Sequence, residues 1–200
     1  NVYRKGTKKA ALPSYVIVER GGLKVGIVGA VTQETPTLVS PAGVSGLDFG
    51  DPVEAVNKVT KKLTDGKKSN GEADVVVAEY HEGAPQSELG APGTEPVTLA
   101  AQLKASPVFA HLVNDTSPKV AAIFTGHTHQ TYAYDAPVKD VPGVTRPVTQ
   151  TGSYGAFVSK VSLTVDTKTK AVVAHSQTNV ATTKTADDDL VAAYPRVRRI

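Results

Sequence analysis

The segment Asp74-Val-Val-Val-Ala-Glu-Tyr80 constrains this chain more than any other. Its β-branched run is apolar almost without interruption, the pattern of a strand covered on both faces rather than one with a solvated side. A strand of that kind requires neighbouring strands on both edges and layers above and below. A second apolar segment, Leu23-Lys-Val-Gly-Ile-Val-Gly-Ala-Val31, precedes it, and a third, Val120-Ala-Ala-Ile-Phe-Thr125, follows. Between the first two lies helix chemistry. Asp51 is a capping residue, Pro52 occupies the first turn, Glu54 sits near the positive helix end, and Val53, Val56, Val59 and Leu63 recur at helical spacing up to Gly66. Strand, helix and strand in this order predict an α/β sheet with helices on an outer face.

The rest of the chain fits around that core. Tyr15 to Glu19 and Leu23 to Val31, joined across Gly21-Gly22, predict a hairpin. Gly26 and Gly29 within the second strand predict that another backbone passes close by. The Pro-, Gly- and Ser-rich stretch 32–50 reads as an irregular loop, as does 83–96. Short helices are expected over 96–103 and 107–113. After Gln130 the pattern turns β-rich, over 131–134, 147–150, 157–166 and 171–179, with Val158, Val161, Leu163 and Val165 in partial alternation. The tail from Asp187 reads as a helix interrupted by Pro195. No repeat and no linker divides the 200 residues, so one domain is expected.

Composition excludes several chemistries. With no cysteine there are no thiolate metal sites, disulfides or cysteine nucleophiles. No apolar run reaches the roughly 18 residues of a membrane-spanning helix, and no signal sequence opens the chain. The absence of methionine suggests that the natural start of the protein is not included. The formal charge of +3 comes largely from Arg4, Lys5, Lys8 and Lys9 at one end and Arg196, Arg198 and Arg199 at the other. These read as solvated surface cations. With few aromatic residues interleaved they give little support for binding a nucleic-acid duplex.

Three of the five histidines stand where predicted strands end. His81 follows Val75 to Tyr80, and His127 and His129 follow Ile123-Phe-Thr-Gly126. Open α/β sheets place ligand sites at the carboxyl ends of their strands. Two histidines at i and i+2 on extended chain project to one side, roughly 7 Å apart at a rise of about 3.3 Å per residue. That suits one imidazole on each of two neighbouring metals, or both on one metal if the backbone turns. Gly126 lets the backbone approach closely. Strand, glycine, His-x-His and a second strand-end histidine together point to metal binding.

The other polar residues earn less. His111 lies off the apolar face of its helix and is expected to face solvent, and His175 carries no role. Glu79 and Glu82 flank His81 and either orient it or remain solvated. Asn114 and Asp115 read as turn residues, as do Gly152, Tyr154 and Gly155, with the site border as the other option. Ser153 has no base at a readable spacing.

Gly126-His-Thr-His-Gln130 resembles the Gly-His-x-His motif of calcineurin-like metallophosphoesterases, and Val75 to Gly83 resembles that family's hydrophobic strand ending in a metal-binding histidine. Asn1-Val2, Gly22 to Gly29, and Gln150-Thr-Gly-Ser-Tyr-Gly155 leading into 157–166 are similar to the 5'-nucleotidase and 2',3'-cyclic-nucleotide phosphodiesterase branch. The resemblance runs from Asn1 to about Asn179. It implies part of a four-layer α/β/β/α sandwich with mixed sheets, without its N-terminal portion. Residues 1–200 would be the latter part of the catalytic domain, with 180–200 a tail or the start of an interdomain linker. It also implies two divalent metal ions (Mn, Zn, Fe or similar), with His81 and His127 on one and His129 on the other. The Asp-x-His pair, the bridging aspartate, the Asn-His of Gly-Asn-His-Glu and the histidine assisting the leaving group would all lie upstream, so no catalytic residue is assigned here. The implied activity is hydrolysis of nucleotide phosphate esters, with a separate C-terminal nucleotide-binding domain and an extracellular, periplasmic or cell-wall location. A non-catalytic binding or structural domain keeping the fold is the alternative, and a mononuclear metal hydrolase of another family a third reading.

Overall fold

The computed structural model describes residues 1–67, 69, 71–89, 93–183, 185 and 187–194. The expected break at Pro195 and the Arg196, Arg198 and Arg199 cluster lie outside the described residues.

Six strands form one mixed sheet. They are β2 (Tyr15–Arg20), β3 (Leu23–Val31), β5 (Val75–His81), β6 (Val120–Thr125), β7 (Thr131–Pro137) and β8 (Thr145–Thr151), in the order β2-β3-β5-β6-β8-β7. The four inner strands run parallel, and β2 and β7 close the edges antiparallel. As the apolar run demanded, β5 lies inside the sheet, with Val75 to Ala78 and Tyr80 all buried. Two small antiparallel pairs accompany the sheet: β1 (Val2–Arg4) with β4 (Leu47–Phe49), and β9 (Phe157–Val165) with β10 (Val172–Ala181).

Helices cover one face. The connection from β3 to β5 contains α3 (Pro52–Leu63), whose Asp51 cap accepts the Glu54 N–H at 2.9 Å. Val53, Val56 and Leu63 on its inner side are buried, each worth about 1.5–3 kcal/mol of transfer free energy. The connection from β5 to β6 contains α4 (Leu99–Ala105) and α5 (Pro107–Asp115), which bury Phe109, Leu112 and Val113. These side chains meet Val28, Val76, Ala78, Ile123 and Val148 of the sheet in one core. A last helix, α6 (Asp187–Ala193), follows β10.

The register places Gly29, Glu79, Phe124 and Thr149 in one row on the other face, with Val31 beside His81. The hairpin of β9 and β10 covers the Thr149 end, where the threonine hydroxyl meets Ser159 Oγ at 2.8 Å and Asn179 Oδ1 at 3.1 Å. The Gly29 end stays open.

Three expectations change. The stretch 32–50 is not a plain loop: it contains short helical turns α1 (Thr35–Leu38) and α2 (Pro41–Val44) before β4. Among the described residues, no other backbone crosses Gly26 or Gly29. A Cβ on Gly26 would meet the side chains of Leu63 (3.0 Å) and Ala73 (3.1 Å), and Gly29 faces open space. Asp115 ends α5 rather than forming a turn, and Val158 is exposed while Val161, Leu163 and Val165 are partly covered.

Candidate metal centre at the carboxyl ends of the strands

His81 is the last residue of β5 and His127 the second residue beyond β6, so strand pairing brings them together. Their ring centres lie 5.1 Å apart with a 56° tilt between the planes. Two imidazoles sharing a tetrahedral ion at about 2.0–2.1 Å per bond have ring centres about 5 Å apart. The pair therefore fits two ligands of one metal ion. The expected role of Gly126 is not required by the packing: a Cβ there would stand 3.4 Å from His81 Nδ1, an ordinary contact. Burial, followed by the charge of His127, holds the His81 pKa below its ordinary value, which favours the neutral imidazole that binds metals.

His127 and His129 do not lie on extended chain. Their φ angles are +71° and +58°, in the left-handed region, and the chain turns between them. Thr128 N–H donates to Gly126 C=O at 2.8 Å. With the positive φ at His127 this is the rare, strained form of γ-turn. Each such residue costs roughly 1–2 kcal/mol in an L-amino acid. The extended geometry fails because β6 ends at Thr125, so no ladder holds the next residues flat. His129 packs near Tyr154, with ring centres 6.2 Å apart, and its charge still reaches His81. Tyr154 is fully exposed at the tip of a turn; this segment is a turn and also borders His129.

One carboxylate escaped the sequence reading. Glu34 Oε2 lies 3.8 Å from His127 Nε2. Glu34 follows the carboxyl end of β3, the strand beside β5, so its placement was the available signal. The expected flanking acids do less: Glu79 is exposed on the open face, and Glu82 is buried and accepts the N–H of its neighbour Gly83 at 3.0 Å. Among the described residues, no group of three or more His, Asp or Glu side chains is arranged to hold a metal by itself. The paired imidazoles fit a divalent ion, but they form an incomplete donor set. Beside them a cavity of about 750 Å³ opens along β3, with His81, Glu79, Phe124 and Gly126 in its inner wall.

The remaining histidines are structural. His111 is not simply solvated: Nδ1 meets Asp115 Oδ2 at 2.8 Å and Nε2 meets Asp51 Oδ2 at 3.1 Å. His175 Nε2 meets Asp135 Oδ1 at 2.7 Å, joining the β9–β10 hairpin to β7.

No family model matches the chain. It is 30% identical over 176 residues, 88% of its own length, to the endonuclease YhcR of Bacillus subtilis, and 33% identical over 106 residues, 52% of its length, to the 5'-nucleotidase of Vibrio cholerae. The matches span 12% and 18% of those two relatives. The calcineurin-like phosphoesterase YfkN of Bacillus subtilis superposes with a TM-score of 0.61 at 19% identity, covering 100% of this chain and 60% of that one. The chain is therefore a sequence relative of the 5'-nucleotidases and carries the fold of the calcineurin-like phosphoesterases.

Proposed function

We propose that this chain is the latter part of a two-metal catalytic domain that hydrolyses phosphate esters of nucleotides, 5'-nucleotides, 2',3'-cyclic nucleotides or both. The observation that carries the reading is the facing pair His81 and His127 at the ends of adjacent parallel strands. In this reading the two would hold one divalent ion, Mn, Zn or Fe, and His129 a second. Such ions supply Lewis-acid stabilisation of the phosphoryl group and a nucleophile at neutral pH.

The chain's own residues set the limits of that chemistry. Imidazoles are neutral ligands and cannot offset the charge of two dications; carboxylates from upstream of Asn1 would complete the site. The 200 residues alone are thus expected to bind metal weakly and to hydrolyse little or nothing. A C-terminal nucleotide-binding domain and an extracellular, periplasmic or cell-wall location complete the proposal. No helix among the described residues is long and apolar enough to cross a membrane.

The test is an assay of the protein extended through its upstream sequence, with 5'-nucleotides, 2',3'-cyclic nucleotides and an aryl phosphate in Mn²⁺ or Zn²⁺. No metal-dependent hydrolysis of any of these would sink the reading. A second reading is a non-catalytic binding or structural domain that keeps the fold. It gains if His127→Ala and His129→Ala leave the metal affinity of the extended protein unchanged.

A further inference from the structure

The strained turn carrying His127 and His129 is held from below by a buried polar network. Thr128, between the two histidines, puts its hydroxyl against the carboxamide of Gln150, 2.9 Å from Nε2 and 3.2 Å from Oε1. Gln150 is almost fully buried in β8, and its Nε2 also donates to Tyr132 Oη at 3.0 Å. Tyr132 Oη in turn accepts the Ala84 N–H at 3.0 Å and meets Thr125 Oγ1 at 2.6 Å. From the other side Gln130 Nε2 donates to Thr128 C=O at 3.0 Å, and Gln130 Oε1 accepts from Ser87 Oγ at 2.9 Å. The network thus ties the turn to the loop that follows His81 at the end of β5.

Gly83 shows how closely these parts are fitted. A Cβ at this position would stand 2.7 Å from Gly126 C=O and 2.8 Å from Thr128 Oγ1, and nearer still to the Gln150 amide nitrogen. Left alone, a turn with two non-glycine residues at positive φ relaxes toward commoner conformations. Here the side chain between those residues is clamped.

We infer that Gln150 and Thr128 are positioning residues, which fix the γ-turn and thereby aim His127 and His129. This rests on the proposed metal-binding role for its final consequence, though not for the geometry. Gln150 is buried and turns both ends of its carboxamide to the Thr128 hydroxyl, so its contact with the site runs through Thr128. Partners behind metal-binding side chains typically alter metal affinity by 10–100-fold when removed.

The experiment compares Thr128→Val, Thr128→Ser and Gln150→Leu in the intact protein by two measurements. Hydrogen exchange of the metal-free protein reads the Thr128 amide, the donor of the γ-turn. It should accelerate at least about tenfold in Thr128→Val and Gln150→Leu, while amides in β5 and β8 keep wild-type protection. Titration with Mn²⁺ alone should show affinity reduced about 10–100-fold in the same two variants, and Thr128→Ser, which keeps the hydroxyl, should restore both signals. Unchanged Thr128 exchange in correctly folded Thr128→Val overturns the inference, as does unchanged Mn²⁺ affinity beside a wild type that binds. If Gln150→Leu does not fold, Thr128→Val, which removes one hydroxyl at constant volume, decides alone. A wild type that binds neither Mn²⁺ nor Zn²⁺ nor Fe²⁺ defeats the metal-site reading instead, and exchange then decides the positioning role.

Discussion

Arg146 is a buried cation that, among the described residues, hydrogen-bonds to carbonyls and to no carboxylate. Its Nη1 donates to Ser117 C=O and Val120 C=O, and its Nη2 to Val113 C=O and Thr116 C=O, at 2.8–3.3 Å. These carbonyls lie at the end of α5 and in the turn entering β6, where a helix leaves acceptors without intrahelical donors. Burial lowers the pKa to about 10, so the group still carries its charge at neutral pH. Methionine at this position would match the volume and leave four carbonyls to find other donors. At about 1–3 kcal/mol per buried unsatisfied group, some re-solvated, Arg146→Met should lose at least about 3 kcal/mol in urea unfolding. Lysine, with one nitrogen to place, should recover only part of that loss. Gly83 makes a second prediction at this scale. The methyl group of Gly83→Ala must displace the Gln150 amide together with Gly126 or Thr128, so the variant should lose about 1–3 kcal/mol. It should also perturb the NMR signals of the His127 and His129 rings.

At the scale of elements, one histidine fastens two helices. His111 on α5 reaches Asp115 one turn further along and Asp51, the N-cap of α3, while Lys139 Nζ meets the other Asp115 oxygen at 2.8 Å. A ring with a carboxylate on each nitrogen donates from both only as imidazolium. The Asp115 bond raises the His111 pKa, and Asp51 adds to it. Because the folded pKa lies above the unfolded value, this stability is fully present below about pH 6.5 and disappears as pH rises through the folded pKa. The Asp115 pKa is lowered, chiefly by Lys139 and then by His111, so its share is lost as pH falls through that value. The stability difference between wild type and His111→Gln should therefore be greatest between about pH 4 and 6.5 and shrink toward pH 9. Urea midpoints measured across that range check it, and a constant difference refutes it. Elements of this kind mark what the sequence shows and hides. The strands β3, β5 and β6 and the helix α3 were legible because period, capping and β-branching agree at each. His111 was misjudged because helical periodicity describes the face toward the sheet and says nothing about an N-cap brought alongside by topology. The His127–Thr128–His129 turn was misjudged likewise. Its shape is set by Gln150, Tyr132 and Gly83, residues up to 46 positions away, and no local pattern encodes that.

On the scale of the whole molecule, the question is how far a site with two facing imidazoles couples metal binding to folding. A ligand that binds only the native state stabilises it by RT ln(1 + [L]/Kd), about 2.7 kcal/mol when the ligand is at 100 times Kd. In the proposed function the upstream carboxylates supply most of the affinity, since neutral imidazoles do not balance the charge of two cations. Extending the chain upstream should therefore change the response to metal far more than the response to urea in chelator. With Mn²⁺ at 100 times the Kd of the extended protein, that protein should gain about 2.7 kcal/mol and lose it again on adding EDTA. The 200 residues alone should gain well under about 1 kcal/mol at the same Mn²⁺ concentration. The His127→Ala variant of the extended protein should fall between the two, because it removes one imidazole from the pair and leaves the carboxylates. An equal gain in both lengths would mean that His81, His127, His129 and Glu34 bind the metal without upstream help. The proposal that the catalytic site is shared across two parts of the protein would then have to be abandoned.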